Sequence, residues 1–347
     1  MKFIHFGCWN KGLCSDTGTN GLSLMTKKLN EYIFINPISF LIIAGDNFYP
    51  KKELSGKKFD EINFKSGFDC LPKEIKKYLI FGNHDIDDII IDSDDSPIKC
   101  KLLDEQIKLA EENNTIEIFN DVLHKIINNT LIIMLDSNLY IENEDKMINE
   151  TCYTRLFNRL VNKSELKIKD LLEYQNIFIS NLIRENLFIN KIIFVAHHPI
   201  YSIKSKIKSG EEKKDDFELK KFVDYLKSIQ DLLLDKNIFY LCADTHLYQE
   251  GIINISPELQ IKQYIVGTGG AEQDNIYTSN DTIVENGYIV YTKMNEKKEY
   301  GFLEVNVTDD EIEYKFISID VLIGGSCKLK NNQNQKKYKI IKKIKVP

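Results

Sequence analysis

Asp46 closes an apolar run, Phe40-Leu41-Ile42-Ile43-Ala44-Gly45, and Tyr49 follows three residues later, so a carboxylate and a phenol arrive together at the end of one buried stretch. The arrangement recurs. Tyr78-Leu79-Ile80-Phe81-Gly82 runs into Asn83, His84 and Asp85, and Ile192 to Ala196 runs into His197, His198 and Pro199. Phe239 to Cys242 leads to Asp244 and His246, and the opening run Phe3 to Phe6 leads through Gly7 to Cys8. Each of these side chains can bind a metal ion. Carboxylate is a hard oxygen donor able to bridge two cations, imidazole suits Fe and Zn, and a phenolate oxygen favours ferric iron. Taken singly, each residue reads equally well as a capping Asp, a turn-forming Asn, a satisfied polar His or a core aromatic. Five such ends in series favour a site. His5, which alternates within its strand, and His124 have no such setting and read as structural.

Residues at strand ends need an open sheet to bring them to one edge, because chemistry in α/β sheets collects at the carboxyl ends of strands. The rest of the chain supplies the crossovers. Apolar periodicity predicts helices over about 23–33, 102–112, 168–185 and 217–234, with a strand over 130–135 that ends at Asp136. Residues 140–165 read as an insertion, and 204–214 as a lysine-rich loop. From residue 264 the texture changes to strands over 264–266, 288–291, 302–307 and 312–317, with Asp309-Asp310 placed for a hairpin turn. The fold class is α/β (α+β), read as a single domain over 1–320 with a basic tail over 321–347.

The chain has 347 residues, of which 43% are hydrophobic, enough for a large core. No apolar run approaches the roughly 20 residues needed to cross a bilayer. Met1 to Gly7 already reads as a strand, which leaves no room for a signal peptide. The seven cysteines are scattered, with no Cys-x-x-Cys pair. They predict a reducing, intracellular setting without structural disulfides. The net charge of −6 is uneven: residues 328–347 carry eight lysines and no acid, so the remainder carries −14. An acidic body argues against duplex nucleic acid as a partner. The tail suits solvent, the acidic body itself or an anionic surface.

Gly45-Asp46-Asn47-Phe48-Tyr49, Gly82-Asn83-His84-Asp85, His197-His198-Pro199 and Asp244-Thr245-His246 together resemble the motif series of calcineurin-like metallophosphoesterases. The Asp-x-x-Tyr form is similar to purple acid phosphatases, in particular the small tartrate-resistant type. The likeness spans about residues 2–320. It implies two packed mixed sheets with helices outside, a four-layer sandwich, and a two-metal site at one edge. By that resemblance Asp46 would bridge both metals, Tyr49 and His246 would bind the first, an iron, and Asn83 and His197 would bind the second, Fe, Zn or Mn. His84 would meet the phosphate and protonate the leaving oxygen, and a metal-bound hydroxide would be the nucleophile. His198 and Lys206 are carried along as substrate contacts.

Two motifs depart from the family pattern. An aspartate is expected where Cys8 stands, in Gly7-Cys8-Trp9-Asn10, and the family's Gly-His-x-His reads Ala243-Asp244-Thr245-His246 here. A further family histidine falls near Lys206. Cys8 and Asp244 still carry metal-capable atoms. The leading expectation is a metal-dependent phosphatase acting on a phosphorylated small molecule or phosphoprotein. The alternatives are a non-catalytic interaction protein that keeps the scaffold and binds a protein partner, and a nucleotide phosphodiesterase.

Overall fold

The computed structural model describes residues 1–53, 56–87, 89–91, 97–98, 100–118, 122–142, 145, 152, 167–208, 211–277, 283–285 and 290–319. The acidic run 92–95, most of the 140–165 segment and the basic tail lie outside the described residues.

Two mixed sheets form the body. The first is built on three parallel strands, β1 (Lys2–Phe6), β2 (Phe40–Ala44) and β5 (Lys76–Ile80), with β8 (Ile116–Ile118) parallel at one edge. Its other side is an antiparallel hairpin, β19 (Tyr300–Val307) and β20 (Ile312–Ile319), so β1 is an interior strand held by β19 on one side and β2 on the other. The second sheet is built on β10 (Thr130–Met134), β11 (Lys191–Val195), β14 (Asn237–Cys242) and β16 (Gln260–Val266), all parallel. Antiparallel β9 (Leu123–Ile127) closes one edge, and β15 (Tyr248–Asn254), β18 (Val290–Lys297) and β17 (Ile283–Glu285) extend the other. β2, β10 and β11 are buried along their whole length, which is why they read as unbroken apolar runs rather than alternating ones.

The sheets meet face to face through aromatic contacts. Tyr314 stacks on Tyr264 with ring centroids 4.3 Å apart, and Phe316 stacks on Tyr248 at 4.2 Å. Helices cover the outer faces. α1 (Gly21–Ile35) lies on the first sheet with Tyr32 against Phe302, and α2 (Glu61–Cys70) packs beside it. α3 (Asn83–Asp87) and α4 (Lys101–Glu112) follow β5. On the second sheet sit α5 (Ile168–Glu185), α6 (Lys220–Ser228) and α7 (Gln230–Leu233), with Phe222 against Phe194 and Tyr240. This is the two-sheet architecture the motif series implies.

Three features differ from the sequence reading. Residues 204–214 are not a loop: β12 (Tyr201–Lys208) and β13 (Glu211–Glu218) form a hairpin whose register sets Lys204 opposite Asp215. Lys204 opposite Asp215 is a favourable cross-strand pair, whereas Lys206 stands opposite Lys213. A smaller sheet precedes the third motif. It pairs β3 (Lys51–Glu53) with β4 (Gly56–Lys58), and β4 with β6 (Ile90–Ile91) and then β7 (Pro97–Ile98). Finally, the expectation of no structural disulfides is overturned, since Cys14 bonds Cys70 and Cys100 bonds Cys152. Their Cα atoms are 6.5 Å and 5.3 Å apart across 56 and 52 residues of chain, a proximity created by the fold and invisible in the spacing. Cys8 and Cys242 remain free thiols and are buried.

Candidate metal centre

Each chemistry-bearing residue sits on the turn that follows a parallel strand. Cys8 after β1, Asp46 after β2 and Asp244 after β14 adopt left-handed backbone, with φ of 52°, 52° and 54°. Such a conformation costs a residue with a Cβ about 1–2 kcal/mol and persists where the surroundings dictate it. Here backbone hydrogen bonds dictate it. The amide of Cys8 donates to Gly45 O at 3.0 Å, that of Ala243 to His197 O at 2.9 Å, and that of Gly7 to Val266 O at 3.0 Å. The last of these ties the first sheet to the second at the edge where the site lies. The preceding glycines are required by space: a Cβ on Gly7 would meet Ala243 Cβ at 2.6 Å, and one on Gly82 would collide with Asp46 Oδ1.

The first sheet delivers Cys8, Asp46, Tyr49, Asn83 and His84, and the second delivers His197, His198, Asp244 and His246. His197 Nε2 lies 3.2 Å from Asn83 Oδ1, 3.3 Å from Asp46 Oδ1 and 3.7 Å from Asp244 Oδ1. Its Nδ1 is 2.8 Å from Ala44 O, a carbonyl that can only accept, so Nδ1 carries a proton, and in the neutral form that a metal ligand takes Nε2 presents a lone pair. In that form four acceptor atoms converge. Reversing the Asn83 amide would give its nitrogen to one of them and leave the two carboxylate oxygens facing the imidazole. On the opposite side, the Tyr49 hydroxyl lies 2.8 Å from Asp46 Oδ2 and 2.9 Å from His246 Nε2. His246 Nδ1 donates to Glu272 O at 2.6 Å, so in the neutral ring Nε2 is an acceptor and one phenolic proton faces two acceptors. Asp46 presents one oxygen to each group.

An excess of lone pairs over protons is what cations reconcile. The donor set of carboxylate, imidazole, phenol and amide oxygen fits Fe, Zn or Mn. Cys8, Asp46 and His197 form one cluster with ligand atoms close enough to share an ion, and His197, His198 and Asp244 form a second. Cys8 Sγ is 4.0 Å from Asp46 Oδ2, and the residue packs with Ala44, Ala243 and Ala271. Burial, then the charges of Asp46 and Asp244, push its thiol well above the ordinary range. Burial likewise raises Asp244, and burial and Asp46 raise Tyr49. Burial pushes Asp46 upward most, but His197 and His84 in their protonated forms, the Tyr49 hydrogen bond and then His246 together outweigh it, and the carboxyl ends below its usual range.

His84 extends from α3 with its ring 5.0 Å from that of Tyr49, and its backbone amide donates to Asp46 Oδ1 at 3.2 Å. His198 is buried, hydrogen-bonded through Nδ1 to Ser137 Oγ at 2.9 Å and packed on Phe217, a position beside the ligands rather than facing solvent. Lys206 is not brought to the cluster. It lies out on the β12–β13 hairpin, 66% exposed, 4.0 Å from Asp215. Lys204, two residues earlier on the same face, is the lysine that approaches the site: it binds Asp274 Oδ2 at 3.1 Å, and the same oxygen accepts the His246 amide at 2.9 Å.

Sequence reasoning quoted Asp85 within its motif and gave it no role. Buried beneath the site, it accepts from the backbone amides of Asn47 at 2.9 Å and Gly82 at 2.8 Å, from Gln106 Nε2 at 2.9 Å and from Asn47 Nδ2 at 3.3 Å. It thus joins the Asp46 loop to the Asn83 loop. Burial and the Asp46 charge push its carboxyl up to about 7, against the pull of those donors. Its place directly after the two motif residues was the available signal.

The sequence profile described as calcineurin-like phosphoesterase matches residues 1–248. The chain belongs to the calcineurin-like phosphoesterase family. A metal-dependent phosphoesterase is therefore its general class. Among solved structures, the chain is similar to "GAP50 the anchor in the inner membrane complex of Plasmodium", with 15% identity, a TM-score of 0.54 and coverage of 100% of this chain and 88% of that one. A second match, "Structure of PhoD", has 10% identity, a TM-score of 0.46 and coverage of 92% and 66%. At 15% identity the likeness to the first of these is one of fold. No curated protein sequence matches. Among the described residues, no helix is long and apolar enough to cross a membrane.

Proposed function

We propose that the chain hydrolyses phosphomonoesters at a two-metal site of the small purple-acid-phosphatase type, with the phosphate of a phosphorylated small molecule as substrate. The observation that carries this is the placement of Asp46, one carboxylate oxygen 3.3 Å from His197 Nε2, the atom that Asn83 and Asp244 also approach, and the other 2.8 Å from Tyr49, with His246 beyond it. Asp46, Asn83, His197, Asp244, Tyr49, His246 and Cys8 would hold the ions. When bound, such ions polarise the phosphoryl oxygens and lower the pKa of water. The chain's own residues do the rest. His84, beside Tyr49 and open to the cavity, passes a proton to the leaving oxygen as the phosphorus–oxygen bond breaks and the oxygen of water joins phosphorus. The Nδ1 bonds of His197 and His246 to Ala44 O and Glu272 O fix both rings with Nε2 toward the centre.

Metal content and phosphatase activity, measured together on the full chain offered Fe, Mn and Zn, test this reading. Close to two ions per chain with turnover of p-nitrophenyl phosphate, both lost in Asp46→Asn, is the expected result. Full metal loading without turnover of any phosphate ester would refute it. A second reading, a scaffold that has given up catalysis, is favoured by the protonated, buried Cys8 at a position the family fills with aspartate. The printed description of GAP50 as an anchor is in keeping with it. That reading expects little bound metal. The two disulfides favour an oxidising compartment over the reducing interior that the cysteine pattern suggested.

A further inference from the structure

After β16 the chain crosses the edge where the two sheets meet, and residues 269–275 act there as a strap. The Gly269 amide donates to Gly7 O and that of Ala271 to Cys8 O, each at 3.1 Å. Glu272 O takes the His246 Nδ1 proton at 2.6 Å. Asp274 then closes on the backbone of the same histidine from both sides. Its amide donates to His246 O at 3.0 Å, and its Oδ2 accepts from the His246 amide at 2.9 Å. Asn275 O accepts from the Ser205 amide at 2.8 Å, which carries the strap onto β12.

β12 also meets the strap with charge. Lys204 Nζ lies 3.1 Å from Asp274 Oδ2, the oxygen that holds the His246 amide. The pair is 32% and 26% exposed, so it is partly shielded from the water that weakens surface ion pairs. A carboxylate that accepts from an amide and an ammonium makes charge-assisted bonds, roughly twice as strong as neutral ones. Ser202, two residues earlier on the same strand face, accepts from Thr245 Oγ1 at 3.0 Å, so one strand steadies both Thr245 and His246. The two imidazoles of the centre differ in how they are held. His197 is wholly buried, and packing fixes its ring. His246 is half-buried; the strap takes up its N, O and Nδ1, and Nε2 faces Tyr49 at 2.9 Å.

We infer that Asp274 and Lys204 are positioning residues for His246. Lys204 anchors Asp274, Asp274 holds the His246 backbone where Nδ1 meets Glu272 O, and Nε2 is thereby aimed at the ion site it shares with Tyr49. The inference rests on the two-metal reading for the ion it affects and not for the ring geometry. Outer hydrogen-bond partners of metal-binding histidines contribute roughly 10–100-fold to affinity.

Nuclear magnetic resonance of the metal-free full chain, with 15N-labelled histidine at mildly alkaline pH, reads the ring directly. Wild type should show His246 as the Nδ1–H tautomer. Asp274→Ala and Lys204→Met should average the two tautomers while the His197 signals stay unchanged, and Lys204→Arg should restore the wild-type signal. Calorimetric titration with zinc is the second readout. Of two ions bound by wild type, one should be held at least tenfold more weakly in Asp274→Ala, with Lys204→Met intermediate and the other ion unaffected. Should Asp274→Ala fail to fold, Lys204→Met, which leaves the strap intact, decides on the same two readouts. An unmoved His246 tautomer overturns the inference, as does equal disturbance of His197 and His246. Unchanged zinc affinities in a chain that binds two ions overturn it as well. A wild-type chain that takes up no zinc, yet whose His246 tautomer responds as expected, supports the positioning and overturns only the two-metal reading.

Discussion

Replacing Asp85 by Asn keeps the shape of the side chain and changes one oxygen into an NH2 group. Four donors point at that carboxylate: two backbone amides, from Asn47 and Gly82, and the side-chain amides of Gln106 and Asn47. The asparagine oxygen can serve two of them, and its nitrogen then faces the others as a fifth donor. At least two of the four buried N–H donors are left without an acceptor. At about 1–3 kcal/mol for each unsatisfied group, the loss of stability should be roughly 2–5 kcal/mol. The loss should not stop at stability, because Asp85 joins the loop carrying Asp46 to the turn carrying Asn83. Urea denaturation gives the first quantity, and metal content at limiting metal gives the second. A destabilisation below about 1 kcal/mol with unchanged metal retention would show that the loops hold their places without Asp85, and the argument for its positioning role would fail.

Gly82→Ala should fold and lose metal, because the added Cβ would collide with Asp46 Oδ1 and lie 2.8 Å from His197 Cε1; metal bound per chain, set against far-ultraviolet circular dichroism, checks it. His5 is buried and its pKa falls to about 4 from 6.5, through burial opposed by the bond to Cys242 O. The unfolded chain therefore takes up a proton between pH 6.5 and 4 that the folded chain refuses. This contribution is complete above pH 6.5 and falls by roughly 3 kcal/mol on going down to pH 4. In His5→Leu that part of the acid sensitivity should vanish, as thermal melts at pH 7 and pH 5 would show. Reducing both disulfides opens closures of 56 and 52 residues, each worth about 4 kcal/mol in the chain-entropy treatment, so the urea midpoint should drop sharply with dithiothreitol. An unchanged midpoint would mean that the bonds do not restrain the unfolded chain.

Much of the site was legible because its physical basis is local. A parallel strand buried on both faces must be an unbroken apolar run, and the turn that ends it must hold a glycine where sheet and site crowd together. Asp46, Asn83, His197 and His246 could each be read from that pattern. What escaped depended on register or on distant partners. Lys204 and Lys206 differ by two positions on one strand face, and only the folded contact with Asp274 shows which of them approaches the site. The hairpin itself was read as a loop because its strands carry lysine and acid in place of apolar alternation. Cysteine pairing was equally hidden, since Cys14 meets Cys70 only once α1 and α2 have packed.

The interior position of β1 has a bearing on how the chain comes to fold. One neighbour of β1, β2, is encoded within the next forty residues, but the other, β19, begins at Tyr300, and the amino group of Met1 hydrogen-bonds Val307 O at 2.6 Å. During synthesis one side of the first strand must therefore wait, with its hydrogen-bonding groups unanswered, until nearly three hundred further residues have been made. Cys8, at the end of that strand, reaches its final setting late. Such a topology favours protection of the waiting edge by a chaperone, or by a transient pairing later exchanged for β19.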